Sequence, residues 1–97
     1  MKIKAGWSDA HEGTGLQGYI ETNYEDIVEA YGPPTAFDID GKVQIEWELL
    51  LDGEPVTIYD WKTSMPVQQV QRWNVGGKKK DAVFMAWAGI KGARVLT

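Results

Sequence analysis

Two short runs in this 97-residue chain hold more chemistry than folding alone calls for. The first, Tyr59-Asp60-Trp61-Lys62, sets two aromatic rings, a carboxylate and a cation side by side. The second is Trp73-Asn74-Val75-Gly76-Gly77-Lys78-Lys79-Lys80. Two glycines ahead of a helix leave backbone N–H groups facing outward, where with three lysines they would grip an anion such as phosphate, and an adjacent Trp would stack on a base. The structural alternative is a flexible turn whose lysines are relieved by acidic residues elsewhere. The run is not a Walker phosphate loop, which needs an earlier Gly and a Lys followed by Ser or Thr. Strand alternation turns Asp60 inward, where a carboxylate must be hydrogen-bonded or paired. It then either accepts from backbone N–H groups at a strand end or orients a group beneath a ligand. The expected site is therefore one surface, where a strand end meets a helix start, made of Tyr59, Asp60, Trp61, Lys62, Trp73, Gly76, Gly77, Lys78, Lys79 and Lys80.

Other candidates are weaker. Ser8, Asp9, His11 and Glu12 contain the types of a hydrolytic triad, but residues so close along a Gly-rich loop rarely reach its geometry, and no elbow or oxyanion motif supports them. They read as a polar loop. Glu46 and Glu48 share a strand face, and a solvated edge accounts for them without a sugar-binding groove. The chain has no Cys and a single His, which excludes disulfides, thiolate nucleophiles and Cys- or His-rich metal sites. No catalytic residue, metal ligand or cofactor is assigned.

Positioning these residues falls to elements that periodicity outlines. A brief strand and loop occupy residues 2–15, an irregular N-terminal segment, and Leu16–Glu21 is β-compatible. Thr22-Asn23-Tyr24-Glu25 has the form of a capping box, with Thr22 as the cap. Tyr24, Ile27, Val28 and Tyr31 form one helical stripe, and Gly32-Pro33-Pro34 ends it. From Val43 the period is two: Val43, Ile45, Trp47, Leu49 and Leu51 share a face. Asp52-Gly53 signals a hairpin to Val56–Trp61, with Val56, Ile58 and Asp60 on the Trp47 face. Residues 67–75 read as an irregular third strand. Lys78–Ile90 fits a second helix, with Val83, Phe84, Trp87 and Ile90 as its core stripe. Residues 91–97 form a tail that is mobile or returns as a short strand. The expected fold is one α+β domain, a small antiparallel sheet of three or four strands around a central hairpin, with two helices on one face. Of the five Trp, Trp47 and Trp87 fall on core stripes, leaving Trp7, Trp61 and Trp73 as candidate binding anchors.

The net charge of −4 conceals a separation along the chain. Residues 1–60 carry thirteen Asp/Glu against three Lys, whereas residues 61–97 carry seven Lys/Arg against Asp81 alone. The halves either interleave their charges on folding or leave a bipolar surface. An acidic chain without a dominant basic face is a poor nonspecific binder of duplex DNA. No apolar run has the roughly 20 residues of a membrane span, and a cytoplasmic protein without a membrane partner is expected.

Gly18-Tyr19-Ile20-Glu21-Thr22-Asn23-Tyr24-Glu25-Asp26-Ile27-Val28, Tyr31-Gly32-Pro33-Pro34, Glu46-Trp47, Asp52-Gly53, Ile58-Tyr59-Asp60-Trp61-Lys62 and Trp73-Asn74-Val75-Gly76-Gly77 together resemble a group of small proteins encoded by tailed bacteriophages. The likeness spans roughly residues 14–90, and Ile-Tyr-Asp-Trp-Lys followed by Trp-x-[Ile/Val]-Gly-Gly is its most specific part. It implies a phage origin, a size class and the host cytoplasm, and carries no catalytic residue across. A small acidic phage protein of this kind is expected to act without catalysis, by stoichiometric binding. The leading expectation is an antagonist of a host defence or nucleic-acid-handling protein, its acidic half imitating phosphate charge. The alternatives are a small-ligand binder, such as a sponge for a nucleotide second messenger, and a minor structural or replication accessory protein.

Overall fold

The computed structural model describes residues 1–96. In chain order the elements are β1 (Ile3–Ala5), β2 (Gly15–Glu21), α1 (Tyr24–Tyr31), β3 (Ala36–Ile39), β4 (Val43–Leu51), β5 (Glu54–Tyr59), β6 (Arg72–Gly77), α2 (Asp81–Ala88) and β7 (Arg94–Leu96). Single 3₁₀ turns lie at Asp9–His11 and Val67–Gln69. All seven strands belong to one antiparallel sheet in the order β1-β4-β5-β6-β2-β7, and β3 pairs with the half of the β4 edge that β1 leaves open. The expected sheet of three or four strands is thus corrected to seven. The added strands are short or pair at long range: β1 and β7 have three residues each, and β2 reaches β6 across more than fifty positions. Their segments show local strand character, but their joining to one sheet leaves no local signal, and the four-residue β3 is not among the expected elements.

The hairpin between β4 and β5 shows how local sequence sets register. Asp52 and Gly53 both have positive φ, 50° and 83°, as a two-residue type I′ turn needs, and Leu51 pairs with Glu54 to close it. That register sets Trp47 beside Ile58 and Leu49 beside Val56. β6 then places Val75 against Ile58, and β2 places Ile20 against Trp73. Trp47, Leu49, Val56, Ile58, Trp73, Val75 and Ile20 are all fully buried on this one face.

Both helices cover that face. Trp47 Nε1–H donates to the Gly32 carbonyl just after α1 (2.8 Å), and Trp73 Nε1–H donates to the Thr22 carbonyl just before it (3.1 Å). The Tyr31 hydroxyl donates to the Ala86 carbonyl (2.7 Å), joining α1 to α2. α2 sits over two glycines: a Cβ on Gly18 would lie 2.9 Å from Val83 Cγ2, and one on Gly77 would run into Ala82. Close approach therefore requires small residues on the buried side of the helix. Ala82, Val83 and Ala86 face the sheet, while Phe84 and Trp87 are 55% and 41% exposed. The expected stripe with Phe84 and Trp87 inward is corrected accordingly. The helix also begins at Asp81 rather than Lys78, so the three lysines precede it.

Two further differences are local. Asn23, not Thr22, caps α1, its side chain accepting from Asp26 N–H at 2.8 Å. Thr22 is buried and its hydroxyl has no partner among the described residues. At the C-terminus, Arg94–Leu96 pairs with β2 as a strand, while Thr97, the last residue of the expected tail, lies outside the described residues. Among the described residues no helix is long and apolar enough to cross a membrane.

Asn23→Ala is expected to cost about 1 kcal/mol, the usual scale for a lost N-cap. Thr22→Val should be neutral or stabilising, because it replaces a buried, unpartnered hydroxyl with a methyl of similar shape. Urea melts of the two variants check the assignment, and the reverse ranking would return the cap to Thr22. Trp47→Ala should cost about 3–5 kcal/mol, the range for truncating a large buried aromatic. A mutant with a wild-type midpoint would mean that Trp47 does not anchor the core.

Candidate functional site

The sheet face opposite the helices is covered only in part. β1 lies at one end of the sheet and β2 beyond β6, so residues 6–14 must cross between them. His11, in the 3₁₀ turn of this crossing, is buried, and its Nε2 lies 2.9 Å from the Leu49 carbonyl. Because a carbonyl only accepts, Nε2 carries the hydrogen, and the bare Nδ1 accepts from Ser8 N–H at 3.1 Å. The Trp7 ring stacks on the imidazole with centroids 5.4 Å apart. Ser8 Oγ does lie 3.1 Å from Nδ1, but among the described residues the ring bonds to Ser8 and the Leu49 carbonyl and not to Asp9, so its other nitrogen is taken by the backbone. His11 thus holds the crossing to β4. Pro55 and Thr57, on the face away from Val56 and Ile58, are buried.

Toward the other end of β5 and β6 the face opens into a cavity of about 660 Å³. Tyr19 of β2, Tyr59 of β5 and Arg72 and Asn74 of β6 line it together with Leu16, and the β5–β6 connection adds Trp61, Thr63, Met65 and Gln71. The Arg72 guanidinium lies 4.1 Å over the Tyr19 ring. Tyr59 and Trp61 stand edge to face, with centroids 6.3 Å apart and planes at 75°.

Asp60 explains why Trp61 is displayed here. One carboxylate oxygen accepts from the backbone N–H groups of Gln44 (2.9 Å) and Ile45 (3.1 Å), and the other accepts from Gln44 Nε2 (2.8 Å). The buried side chain so ends the β4–β5 ladder by satisfying donors that a continuing strand would have used. Lys62 follows at φ 51°, its N–H donating to the Lys42 carbonyl at 2.8 Å, and the turn leaves Trp61 47% exposed. Lys42 and Lys62 place their ammonium groups 5.9 Å and 5.6 Å from the Trp61 ring centre.

The residues expected to form one surface are divided. Tyr59 and Trp61 line the cavity, Lys62 stands against Trp61, and Asp60 lies beneath on the core side. Trp73 points to the opposite face, fully buried and edge-on to Trp47 at 5.5 Å. Gly76 and Gly77 are paired on both sides, with Leu16 and Gly15 of β2 and with Thr57 and Val56 of β5, so they form no outward nest of N–H groups. Lys78, Lys79 and Lys80 follow the far end of β6. Six steps of extended chain, about 20 Å, separate Lys78 from Arg72. Lys79 pairs instead with Glu54 at 3.6 Å. Sequence reading missed Tyr19, Arg72, Asn74 and Lys42. Asn74 lies in the singled-out run and Arg72 immediately precedes it, both alternating with Trp73, and that alternation was the available signal.

A scan against protein-family models, a search of the curated proteins and a search of the solved structures return no match. The site therefore stands on its own geometry.

Its electrostatics are set by partial burial. Glu46 is the register partner of Tyr59, and burial, with the neighbouring Glu48 adding to it, pushes its carboxyl up to about 7. Burial also raises the Tyr59 hydroxyl, with Glu46 and Tyr19 contributing and the Asn74 side chain opposing. Thr35 Oγ1 donates to Glu48 Oε1 at 3.2 Å, so these carboxylates are half-buried members of the sheet rather than a solvated edge.

The folded state holds the Glu46 proton more tightly than the unfolded chain. Its contribution to stability is present below the ordinary value of 4.5 and is lost as pH rises through about 7. Glu46→Gln should therefore raise the melting temperature relative to wild type above neutrality, with the gap closing toward acid pH. A gap independent of pH would show that Glu46 does not titrate in this range. Asp60→Asn should cost about 1–3 kcal/mol, since an amide nitrogen would then face the Gln44 amide. Denaturant melts measure that, and full stability would remove the carboxylate from the end of the ladder.

Proposed function

We propose that the protein acts by stoichiometric binding and that it holds a small ligand in the open-face cavity. The observation that carries this reading is the meeting of Tyr19, Tyr59, Trp61 and Arg72, from separate segments of chain, around one space of about 660 Å³. Ligand pockets commonly span roughly 300–1,000 Å³ and combine aromatic walls with a few polar groups. Folding does not account for Trp61. A ring of that size contributes most to stability when buried, yet it is exposed and braced by Tyr59 and two lysines. A braced aromatic surface loses little freedom on binding, which favours affinity. In this role the protein is a sponge that lowers the free concentration of its ligand without transforming it. The resemblance to small tailed-phage proteins supports a phage origin and the host cytoplasm as the place of action.

A second reading, antagonism of a host defence or nucleic-acid-handling protein, draws support from a different surface. Glu25 and Glu29 of α1 are exposed, and among the described residues the ion pairs are Arg94–Glu21 and Lys79–Glu54. Much of the acidic half thus faces solvent uncompensated, a charge pattern suited to a basic cleft on a partner. The exposed Phe84 and Trp87 add apolar anchors.

Native mass spectrometry of protein purified gently from its host is expected to show a bound small molecule at one per chain, lost in Trp61→Ala. Bare wild-type protein that also fails to take up a mass from host metabolite extract would defeat the small-ligand reading.

A further inference from the structure

We infer that the ligand of the open-face cavity is a nucleoside phosphate, its planar heteroaromatic ring laid against Trp61 and Tyr59 and its phosphate held by Arg72. The inference rests on the cavity being a small-ligand site and assigns the ligand's chemical class. Charge placement is the first support. The chain carries 14 Asp/Glu against 10 Lys/Arg, yet Arg72 lines this cavity and Lys42 and Lys62 stand against the Trp61 ring that walls it. None of the three is in an ion pair among the described residues. Glu21 lies directly across the sheet from Arg72, but its carboxylate is engaged by Arg94 at 3.4 Å. Asp60 is turned into the core and bonded to Gln44 and Ile45. Glu46, beside Tyr59 on the same face, has its charge lessened by burial, so positive charge prevails around the aromatic lining, which is complementary to an anion that also has an aromatic part.

Geometry is the second support. Arg72 lies over Tyr19 at 4.1 Å, which fixes the guanidinium while leaving its N–H edges to donate. That fork matches two phosphate oxygens. Tyr59 and Trp61, at 75° to one another, form a corner in which a flat ring stacks on one and meets the edge of the other. Thr63 and Gln71 bring a hydroxyl and an amide to the lining, groups that both donate to and accept from the edge of a base. A phosphate alone would leave the aromatic corner without a purpose, and an uncharged ring would leave the cations without one. An extended peptide is not favoured, because β5 and β6 are paired on both sides and offer no open backbone edge.

The test is isothermal titration with Trp fluorescence, using purine and pyrimidine 5′-monophosphates, cyclic dinucleotides, the matching nucleosides and inorganic phosphate. At least one nucleotide should bind at one per chain and change Trp fluorescence, with its nucleoside about tenfold or more weaker and inorganic phosphate weaker still. Arg72→Gln should bring the nucleotide down to the affinity of its nucleoside and leave the nucleoside unchanged, with Arg72→Lys between. Trp61→Ala should weaken both. Replacing Lys78, Lys79 and Lys80 together by Gln should change affinity less than twofold, since they lie beyond the other end of β6. Equal binding of nucleotide and nucleoside, or a loss caused by the triple-Lys variant rather than by Arg72→Gln, would overturn the assignment. Should no member of the panel bind while a Trp61-dependent mass persists in native spectra, the nucleotide assignment falls and the small-ligand reading stands. With no such mass either, both fall.

Discussion

Two indole rings set the geometry of the molecule. Trp47 of β4 and Trp73 of β6 stand on either side of β5, meet edge to face, and are completely buried. Each satisfies its N–H on a backbone carbonyl, Trp73 just before α1 and Trp47 just after it. One helix is thereby fastened to the sheet at both ends, and the carbonyls that receive the bonds belong to the connecting residues whose partners are hardest to supply. Tyr24 packs on Trp47, and Tyr31 carries the attachment on to α2. Because Trp73 is committed to this role, an aromatic that looked available for a ligand is a structural fastening instead.

Covering one face so completely determines what the other face can be. The helices use the apolar residues of β4, β5, β6 and β2, and strand alternation sends Glu46, Tyr59, Arg72, Asn74 and Tyr19 to the far side. Among the described residues no helix is left to cover them. The segment before β2 closes part of that side, with His11 bonded into the sheet, and the β5–β6 connection borders the rest. The cavity lies over the part left open, walled by residues of β2, β5 and β6 and of the β5–β6 connection. Its floor is a rigid sheet, and its one projecting wall, Trp61, is aimed by a buried carboxylate and a left-handed Lys62.

The charge separation along the chain takes a definite form in three dimensions. The lysines before α2 and the cations at the cavity lie toward opposite ends of β6, so the positive half does not form one patch. Lys79 and Arg94 are taken up in exposed ion pairs, which contribute little to stability. Glu46 shows the opposite effect of place on charge. Burial beside Glu48 leaves it partly protonated near neutrality, which lessens the negative potential next to Tyr59.

Local sequence alone determined the elements whose signal is contained within a few residues. The α1 stripe, the Asp-Gly hairpin, the alternation of β4 and the inward direction of Asp60 and Trp47 all follow from periods of 3.6 and 2 and from turn chemistry. The choice of Thr22 over Asn23 as cap missed by one residue because both types serve that role, and only the path of the backbone selects between them. Tertiary structure decided the rest. Pairing β2 with β6 and β7 joins segments far apart in sequence, a contact no local pattern encodes. The direction of α2 was set by Gly18 and Gly77, which admit only small residues, so Phe84 and Trp87 were turned outward despite their size. Packing likewise divided the expected site. Alternation along β5 and β6 sends Tyr59 and Trp73 to opposite faces, but which face receives the helices and which is left open depends on where the chain packs, and that is fixed only once the whole sheet has formed.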